Sequence, residues 1–268
     1  MTLPEPLLSF WMAHLEPHAE VQHTPWGAIV SDPRYPRVYE ANHASILRPP
    51  PDLTLDEVRT DLMPALERAG ATHEHLEVMD AHDDCPALRA LEASPAERNT
   101  DVVMVFEGTH PSVDARASSE AAGAVCVDRL EEPDDTFWKL LRLVPNEYGE
   151  ALADEVLDQM LARAQDLFLP YLTFFTGTID GDIAGLASVL TLAGVAYVDN
   201  VVTLAAFRRR GVATAVVSRA VADALEAGAT AVFLLAEENG SPQRLYEGLG
   251  FRVRRRSLGF TRPLHETS

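Results

Sequence analysis

Three consecutive arginines precede a glycine at Arg208–Gly211, inside the segment TLAAFRRRGVATAVV at positions 203–217. The segment follows a β-rich run and leads into small and apolar residues, so it predicts the turn between a strand and a helix. The first amides of such a helix have no backbone partners, and together with the positive end of the helix dipole they attract anions. Gly211 permits close approach of a ligand to the backbone, and Ala213 keeps the next helical turn narrow. The residues therefore predict an anion site at the start of a helix.

The phosphate motifs G-x-x-x-x-G-K-[ST] and G-x-G-x-x-G are both absent from this turn, which disfavours nucleoside triphosphates and dinucleotides as its ligands. The motif R-x-x-G-x-A, at Arg208, Gly211 and Ala213 directly after the run VDNVVT, instead resembles the acyl-CoA pyrophosphate loop of the GNAT superfamily of N-acetyltransferases. Two nearby positions depart from the common pattern. Ala205 stands where many members carry proline, and Arg209 stands where many carry glycine.

A second segment further along the chain strengthens this resemblance. The family pattern N-x-x-A-x-x-L-Y-x-x-x-G-F is matched at Asn239, Leu245, Tyr246, Gly250 and Phe251, with Pro242 in place of the alanine. One predicted helix and one predicted strand separate the two segments, as in the family. Together the segments cover residues 195 to about 262, and the order of elements extends the likeness back to about residue 122.

The resemblance implies that acetyl-CoA is the co-substrate and that an amine is the acceptor, without a metal. It assigns CoA binding to the end of one strand, the arginine turn, the helix start and the second segment. These residues are Val201, Val202, Thr203, Arg208, Arg209, Arg210, Gly211, Val212, Ala213, Thr214, Asn239 and Tyr246. Backbone amides at 201–203 would hold the thioester carbonyl, which requires this strand to splay from its neighbour. Asn239 would either contact the pantetheine amides or order the start of the following helix.

Transfer to an amine requires the amine to be neutral. An alkylamine with a pKa near 10.4 is neutral in roughly one molecule in 10³ at pH 7, a cost of about 4–5 kcal/mol. Asp199 lies on the strand that enters the site and is the candidate general base, with Tyr197 on the same strand face. A surface aspartate at a strand edge is the alternative, and the sequence favours neither.

Tyr246 matches the family's tyrosine that approaches the CoA sulfur. Proton transfer from a phenol with a pKa of about 10 to the thiolate of a thiol with a pKa of about 8.5 is unfavourable by about 2 kcal/mol. A hydrogen bond to the developing thiolate, with the proton supplied by solvent, is therefore at least as good an interpretation as full proton transfer. A tyrosine that only packs on the helix beside Leu245 is the alternative.

The second half of the chain provides the elements that would position these residues. The run AVCVDRL predicts a strand, and Leu152, Val156, Met160 and Leu167 have helical spacing. Asp180-Gly181 predicts the tight turn of a hairpin. A third strand follows Gly194, and the helix after the arginines runs to Gly228. The runs AVFLLA, SPQRLYEGLG and FRVRRRSLGFTR then predict a buried strand, a short helix and a last strand.

The first half predicts a similar alternation without an R-x-x-G-x-A motif. Thr54 and Glu57 form a capping box at the start of a helix that Gly70 ends. HEHLEVMD and NTDVVMVFEG predict strands, with a helix at DCPALRALEAS between them. We expect a mixed α/β (α+β) fold with a mainly antiparallel sheet flanked by helices, in tandem lobes. The predicted division is a degenerate GNAT-like or accessory lobe at 1–115 and the N-acyltransferase domain at 116–268, with residues 109–123 as linker.

Composition excludes several classes of protein. The chain has 268 residues, 47% of them hydrophobic, which suffices for a substantial core. The net charge of −19 argues against nucleic acid or an anionic membrane as partner. Cys85 and Cys126 predict free thiols rather than a disulfide, and a soluble cytoplasmic protein is expected. The segments HEH (73–75) and HDDC (82–85), and the pair His14 and His18, lack the regular spacing of a zinc site.

The sequence thus predicts an acyl-CoA-dependent N-acetyltransferase. The acidic balance mildly favours cationic acceptors such as polyamines, aminoglycosides or basic peptides. The alternative is an acyl-CoA-binding regulatory protein without turnover. A nucleic-acid binder that uses the two arginine runs is a weaker alternative, because the rest of the chain is acidic.

Overall fold

The structure, a computed structural model, describes residues 4–79, 85–109, 123–142, 144 and 152–264. Its helices are α1 (Glu5–Leu15), α2 (Leu55–Ala69), α3 (Pro86–Glu92), α4 (Asp135–Leu141), α5 (Asp154–Arg163), α6 (Val212–Glu226) and α7 (Ser241–Gly248). Its strands are β1 (Glu20–Thr24), β2 (Gly27–Ser31), β3 (His43–Ile46), β4 (His73–Val78), β5 (Glu97–Phe106), β6 (Val125–Leu130), β7 (Leu172–Ile179), β8 (Asp182–Leu192), β9 (Val195–Thr203), β10 (Ala231–Glu237) and β11 (Phe251–Pro263).

All of these strands form one sheet in the order β1-β2-β3-β4-β11-β5-β10-β9-β8-β7-β6. Neighbouring strands are antiparallel except for two pairs, β3 with β4 and β9 with β10, which are parallel. Each parallel pair is joined by a helix, α2 in the first half and α6 in the second. The mixed, mainly antiparallel α/β fold predicted from the sequence is confirmed.

The two halves repeat one order of elements, although their residues show no obvious repeat. Three antiparallel strands, a helix, a parallel strand, a second helix and a long last strand follow one another in each half. In the first half this order is β1-β2-β3-α2-β4-α3-β5, and in the second it is β7-β8-β9-α6-β10-α7-β11. By this order, α2 and α6 occupy equivalent places.

The last strands of the two halves are exchanged in the middle of the sheet. Strand β5 of the first half lies between β10 and β11, and β11 lies between β4 and β5. Each half therefore completes the sheet of the other. The predicted boundary at residues 115 and 116, and linker residues 110–122, lie outside the described residues, so that division stays a prediction.

The helices cover both faces of the sheet. The face with α2, α3, α6 and α7 carries two apolar cores, one around Leu66 and Phe260 and one around Val216 and Phe251. Helices α1, α4 and α5 cover the opposite face, where Phe10 of α1 packs on Phe233 with ring centroids 4.9 Å apart. Strand β10 contributes to cores on both faces, as its wholly apolar sequence predicts.

Most of the local signals in the sequence are confirmed. Thr54 and Glu57 form a complete capping box, and Gly70 ends α2 in the left-handed conformation. Asp180 and Gly181 both have positive φ, 54° and 90°, as a type I′ hairpin turn requires. The helix predicted from Leu152 is wrong at its start. Helix α5 begins at Asp154, where acidic side chains suit the helix dipole.

Candidate functional site

The connection between β9 and α6 forms the predicted arginine turn. The Leu204 N–H donates to the Ala184 carbonyl at 2.9 Å, and a 3₁₀ turn at Ala205–Phe207 follows. Arg209 and Gly211 then adopt left-handed backbone conformations, with φ of 63° and 83°. Gly211 is the N-cap of α6 and has no side chain, so the helix begins without a side-chain cap. This leaves the first amides of α6 available to an anion.

Arg209 explains one departure from the family pattern. A glycine enters the left-handed region without steric cost, whereas arginine enters it at some cost. The φ of 63° shows that Arg209 adopts this left-handed conformation despite its side chain. Arg209 thus carries a steric cost that a glycine at this position would avoid.

The equivalent helix of the first half begins very differently. At α2 the Thr54 hydroxyl accepts a hydrogen bond from the Glu57 N–H at 3.3 Å, and the Glu57 carboxylate accepts one from the Thr54 N–H at 2.8 Å. Asp56 and Glu57 also place negative charge in the first turn, whereas the first turn of α6 has no acid. In the first half, side chains thus cap the amides to which an anion would bind, and their negative charge would repel it.

Two glycines, which the sequence analysis missed, let α6 approach the sheet. A Cβ at Gly185 would lie 2.7 Å from Val212 Cγ1 and 2.4 Å from the Val202 carbonyl oxygen. A Cβ at Gly177 would lie 3.0 Å from Val216 Cγ1. Both glycines interrupt β-rich runs, which is the signal for a close approach. They fix the first turn of α6 against β7 and β8.

Strand β9 separates from β10 before it reaches the turn. The parallel pairing covers Val195–Tyr197 with Ala231–Phe233, while β10 continues alongside β5 to Glu237. On its other side, β9 has a bulge against β8 between Asp199 and Val202, and Asn200 within the bulge has a φ of 53°. The splay expected at 201–203 is therefore present, with Val201, Val202 and Thr203 at or beyond the bulge. Binding of the thioester carbonyl by their amides stays a prediction.

The three arginine side chains are exposed around the turn. The Arg208 Nε lies 3.4 Å from the Thr203 carbonyl oxygen. The Arg210 guanidinium lies 5.6 Å from the centroid of the Phe207 ring and 4.0 Å from an oxygen of Asp180. Ala213 and Thr214 follow in the first turn of α6. Exposed arginine side chains beside uncapped helix amides suit a phosphate ligand.

The second predicted segment starts at the same edge of the sheet, because β9 and β10 are parallel and each leads into a helix. Asn239 is exposed with a φ of 62°, and its N–H donates to the Gln243 side chain at 2.7 Å. Its carbonyl accepts a hydrogen bond from Arg244 at 2.8 Å, so the Asn239 backbone orders the start of α7. Pro242 lies in the first turn, where proline is tolerated.

Tyr246 lies on the inner side of α7. Its side chain is buried, with 6% exposed, and its ring centroid is 6.0 Å from that of Phe251. The same core includes Val102 and Met104 of β5. The ring therefore contributes to packing whatever its hydroxyl does.

Asp199 lies in a polar, partly buried setting at the bulge. Its carboxylate accepts hydrogen bonds from the Asn200 side chain at 3.2 Å and from the Tyr197 hydroxyl. Burial, and to a smaller extent the nearby Glu40, raise the pKa of Asp199 to about 6, although the Asn200 N–H and the Tyr197 hydroxyl oppose the shift. Asn200 also donates to the Ser188 hydroxyl at 3.0 Å, which holds the bulge. A carboxyl group with such a pKa is suited to accept a proton near neutral pH.

The described residues contain no group of three or more histidine, cysteine, aspartate or glutamate side chains arranged to hold a metal ion. Residues 82–84 of the HDDC segment lie outside the described ranges. Cys85 and Cys126 are both free, the first buried and the second partly buried. In the part of the chain that the structure describes, no helix is long and apolar enough to cross a membrane.

Comparison with protein families gives a match at the same elements. The family model described as "Acetyltransferase (GNAT) family" matches residues 136–251, which include both predicted CoA segments. Residues 136–251, somewhat less than half of the chain, therefore resemble a GNAT acetyltransferase domain. No curated protein matches the chain in sequence.

Solved structures with low sequence identity share the GNAT fold over most of the chain. A GCN5-related N-acetyltransferase from Kribbella flavida has a TM-score of 0.65 at 16% identity, over 100% of this chain and 98% of the other. A conserved protein of unknown function from Staphylococcus epidermidis has a TM-score of 0.73 at 11% identity, over 97% and 99%. A tandem GNAT protein from the clavulanic acid biosynthesis pathway has a TM-score of 0.55 at 18% identity, over 80% and 70%. These likenesses extend the fold to both halves.

Proposed function

We propose that this protein transfers an acetyl group from acetyl-CoA to an amine and that it binds one acetyl-CoA per chain. The observation that carries the proposal is the contrast between the two equivalent helix starts. Helix α6 begins at Gly211 without a cap and with exposed arginines before it, whereas α2 begins with its own capping box and acids. Of these two helix starts, only that of α6 offers a diphosphate free amides and electrostatic attraction.

The proposed reaction is direct attack of the amine on the thioester. The amine nitrogen forms a bond to the carbonyl carbon, the carbon–sulfur bond breaks, and CoA leaves as the thiolate. Amides at 201–203 would stabilise the developing oxyanion. Asp199, directly or through water, would take the proton from the amine. Tyr246 would donate a hydrogen bond to the leaving sulfur. Because both cysteines are free, we place this activity in a reducing compartment, the cytoplasm.

The burial of Tyr246 favours one alternative, an acyl-CoA-binding regulatory protein without turnover. A tyrosine that serves only the core around Phe251 would leave CoA binding intact and the leaving thiolate unassisted. This alternative keeps the same helix start as its binding site.

The test is release of free CoA thiol from acetyl-CoA, with and without a panel of amines, alongside calorimetric titration of acetyl-CoA. We expect acceptor-dependent thiol release and an acetylated amine as product. Binding of acetyl-CoA with no thiol release from any amine would favour the regulatory alternative. Absence of both binding and release would overturn the proposal.

A further inference from the structure

Carboxyl groups from both halves gather on the sheet face opposite α6. Four of them act electrostatically on Tyr197 of β9, and after burial they raise its pKa well above the usual value. Asp199 belongs to the second half, whereas Glu40, Glu77 and Asp101 belong to the first half. We call these four residues the inter-half acid cluster. The cluster brings the first half directly to the candidate general base.

Arg163, at the end of α5, lies against this cluster. It is 8% exposed, its Nη1 donates to Glu40 at 3.1 Å, and its Nε donates to His18 at 3.2 Å. Burial lowers the pKa of His18 to about 4, and its Nδ1 bonds the Leu15 carbonyl, so a neutral His18 accepts the bond from Arg163. Asp199 and Glu40 both stabilise the positive charge of Arg163 against burial. Arg163 is thus held as a cation between the two halves.

The remaining nitrogen of Arg163 has no partner. Its Nη2 is buried and makes no hydrogen bond, although the other two nitrogens are satisfied. Two further buried polar groups on β3, His43 Nδ1 and Ser45 Oγ, are also without partners. His43 interacts electrostatically with Arg163, and Ser45 lies opposite Glu77 in the register of β3 and β4. Buried donors are rarely left unpaired, so a polar ligand or a bound water would satisfy these groups.

The unpaired edge of Arg163 and the inter-half acid cluster would bind groups of opposite charge, which one ligand can carry together. An unpaired guanidinium edge binds a carboxylate, and a cluster of carboxylates binds an ammonium group. Arg163 forms an ion pair with Glu40 and also favours the ionised form of Asp199, although no described cationic side chain forms an ion pair with the Asp199 carboxylate. A polycation such as a polyamine would place positive charge near Asp199 but would leave Arg163 Nη2 without a hydrogen bond.

We propose that the acceptor is an amino acid, whose carboxylate binds Arg163 and whose amine faces Asp199, in a site built by both halves. This inference rests on the proposed function and specifies its acceptor. The first half then serves to bind the acceptor, while the second half binds the acyl donor.

The experiment measures acetylation of a panel of L-amino acids, each paired with its C-terminal amide, and of spermidine. The amide keeps the amine and the side chain but removes the negative charge. We expect kcat/KM for the preferred amino acid to exceed that for its amide by at least about tenfold. In Arg163→Lys this preference should disappear through a higher KM for the amino acid, with CoA affinity unchanged. Arg37→Lys, an exposed arginine that pairs with Glu155 of α5, is the matched control and should keep the preference.

Three results would overturn the inference while the proposed function stands. The first is an equal kcat/KM for the amino acid and its amide, and the second is a higher kcat/KM for spermidine than for any amino acid. The third is a fall in kcat/KM of the same size for the acid and its amide in Arg163→Lys. Titration of the same pairs into the CoA-bound protein decides the question when no product forms, because the acid should still bind more tightly than the amide. Failure to bind acetyl-CoA would overturn the proposed function instead.

Discussion

At the scale of single residues, Tyr246 is the clearest test of how the thiolate leaves. Its ring is buried beside Phe251, so Tyr246→Phe removes the hydroxyl and retains the packing. Loss of one hydrogen bond to a developing thiolate should lower turnover roughly ten- to a hundredfold, with CoA affinity almost unchanged. Steady-state rates from pH 6 to 10 at saturating acetyl-CoA measure the effect.

The control is Tyr171→Phe, at a tyrosine that is 49% exposed. That variant should turn over as the unaltered protein does. Turnover near normal in Tyr246→Phe as well would show that Tyr246 only packs. A far larger loss, with a changed pH profile, would show that full proton transfer from Tyr246 is obligatory.

The raised pKa of Asp199 predicts how kcat depends on pH. Burial is the main cause that raises its pKa to about 6, and a general base works only when ionised, so kcat should rise as the pH increases through about 6. Asp199→Asn should abolish this rise of kcat with pH, the acidic limb of the pH profile, and should lower kcat by roughly 10²–10⁴-fold. Glu40, Tyr197 and Arg163 are the charged and titratable groups that act on it.

Glu40→Gln separates Asp199 from other titrating groups. Removal of a neighbouring negative charge favours ionisation of Asp199, so the limb should move to lower pH. A limb that stays in place in Glu40→Gln and persists in Asp199→Asn would assign the titration to another group.

At the scale of elements, the exchange of β5 and β11 joins the two halves into one folding unit. Strand β5 pairs with β10 and β11 on its two sides, and its Val102 and Met104 complete the core that holds Tyr246. Without β5, the second half would expose two unpaired strand edges and an open core.

We therefore expect residues 118–268 alone to fail to fold as a soluble monomer. Co-expression with residues 1–109 should restore a soluble pair of fragments that acetyl-CoA stabilises against heat. Thermal unfolding and size-exclusion chromatography of the fragments, separately and together, give the result. A monomeric 118–268 fragment that acetyl-CoA stabilises as much as the full chain would show that β5 is dispensable.

The same exchange marks the limit of what the sequence predicts. Caps and turns depend on residues that are close together in the chain. The sequence therefore predicts the capping box of Thr54 and Glu57 and the hairpin turn at Asp180-Gly181. The turn at Arg208–Gly211, which we predict to bind an anion, can be predicted from the sequence for the same reason. Pairing of β5 with β11, and of Arg163 with Glu40 across 123 positions, depends on which distant segments meet. A single sequence carries no local signal for such contacts, so the acid cluster could not be predicted.

At the scale of the whole molecule, one fold is used twice with different outcomes. The repeat places two equivalent helix starts on one face of the sheet, and only α6 begins at an uncapped glycine after arginines. The chain has a net charge of −19, so an anion is attracted only where local structure overcomes the general repulsion. One CoA site per chain, at α6, is the central claim.

Calorimetric titration of acetyl-CoA into the full chain and two glycine variants tests this claim most directly. Gly211 and Gly228 both have a left-handed φ, at the start and just past the end of α6, and a Cβ at either would meet no atom within 4 Å. Both glutamate variants therefore suffer the same kind of backbone strain, but only Gly211→Glu places a side chain and a negative charge at the helix amides. We predict one site per chain in the unaltered protein and in Gly228→Glu, and no binding in Gly211→Glu. Unchanged affinity in Gly211→Glu, or two sites per chain, would contradict the account.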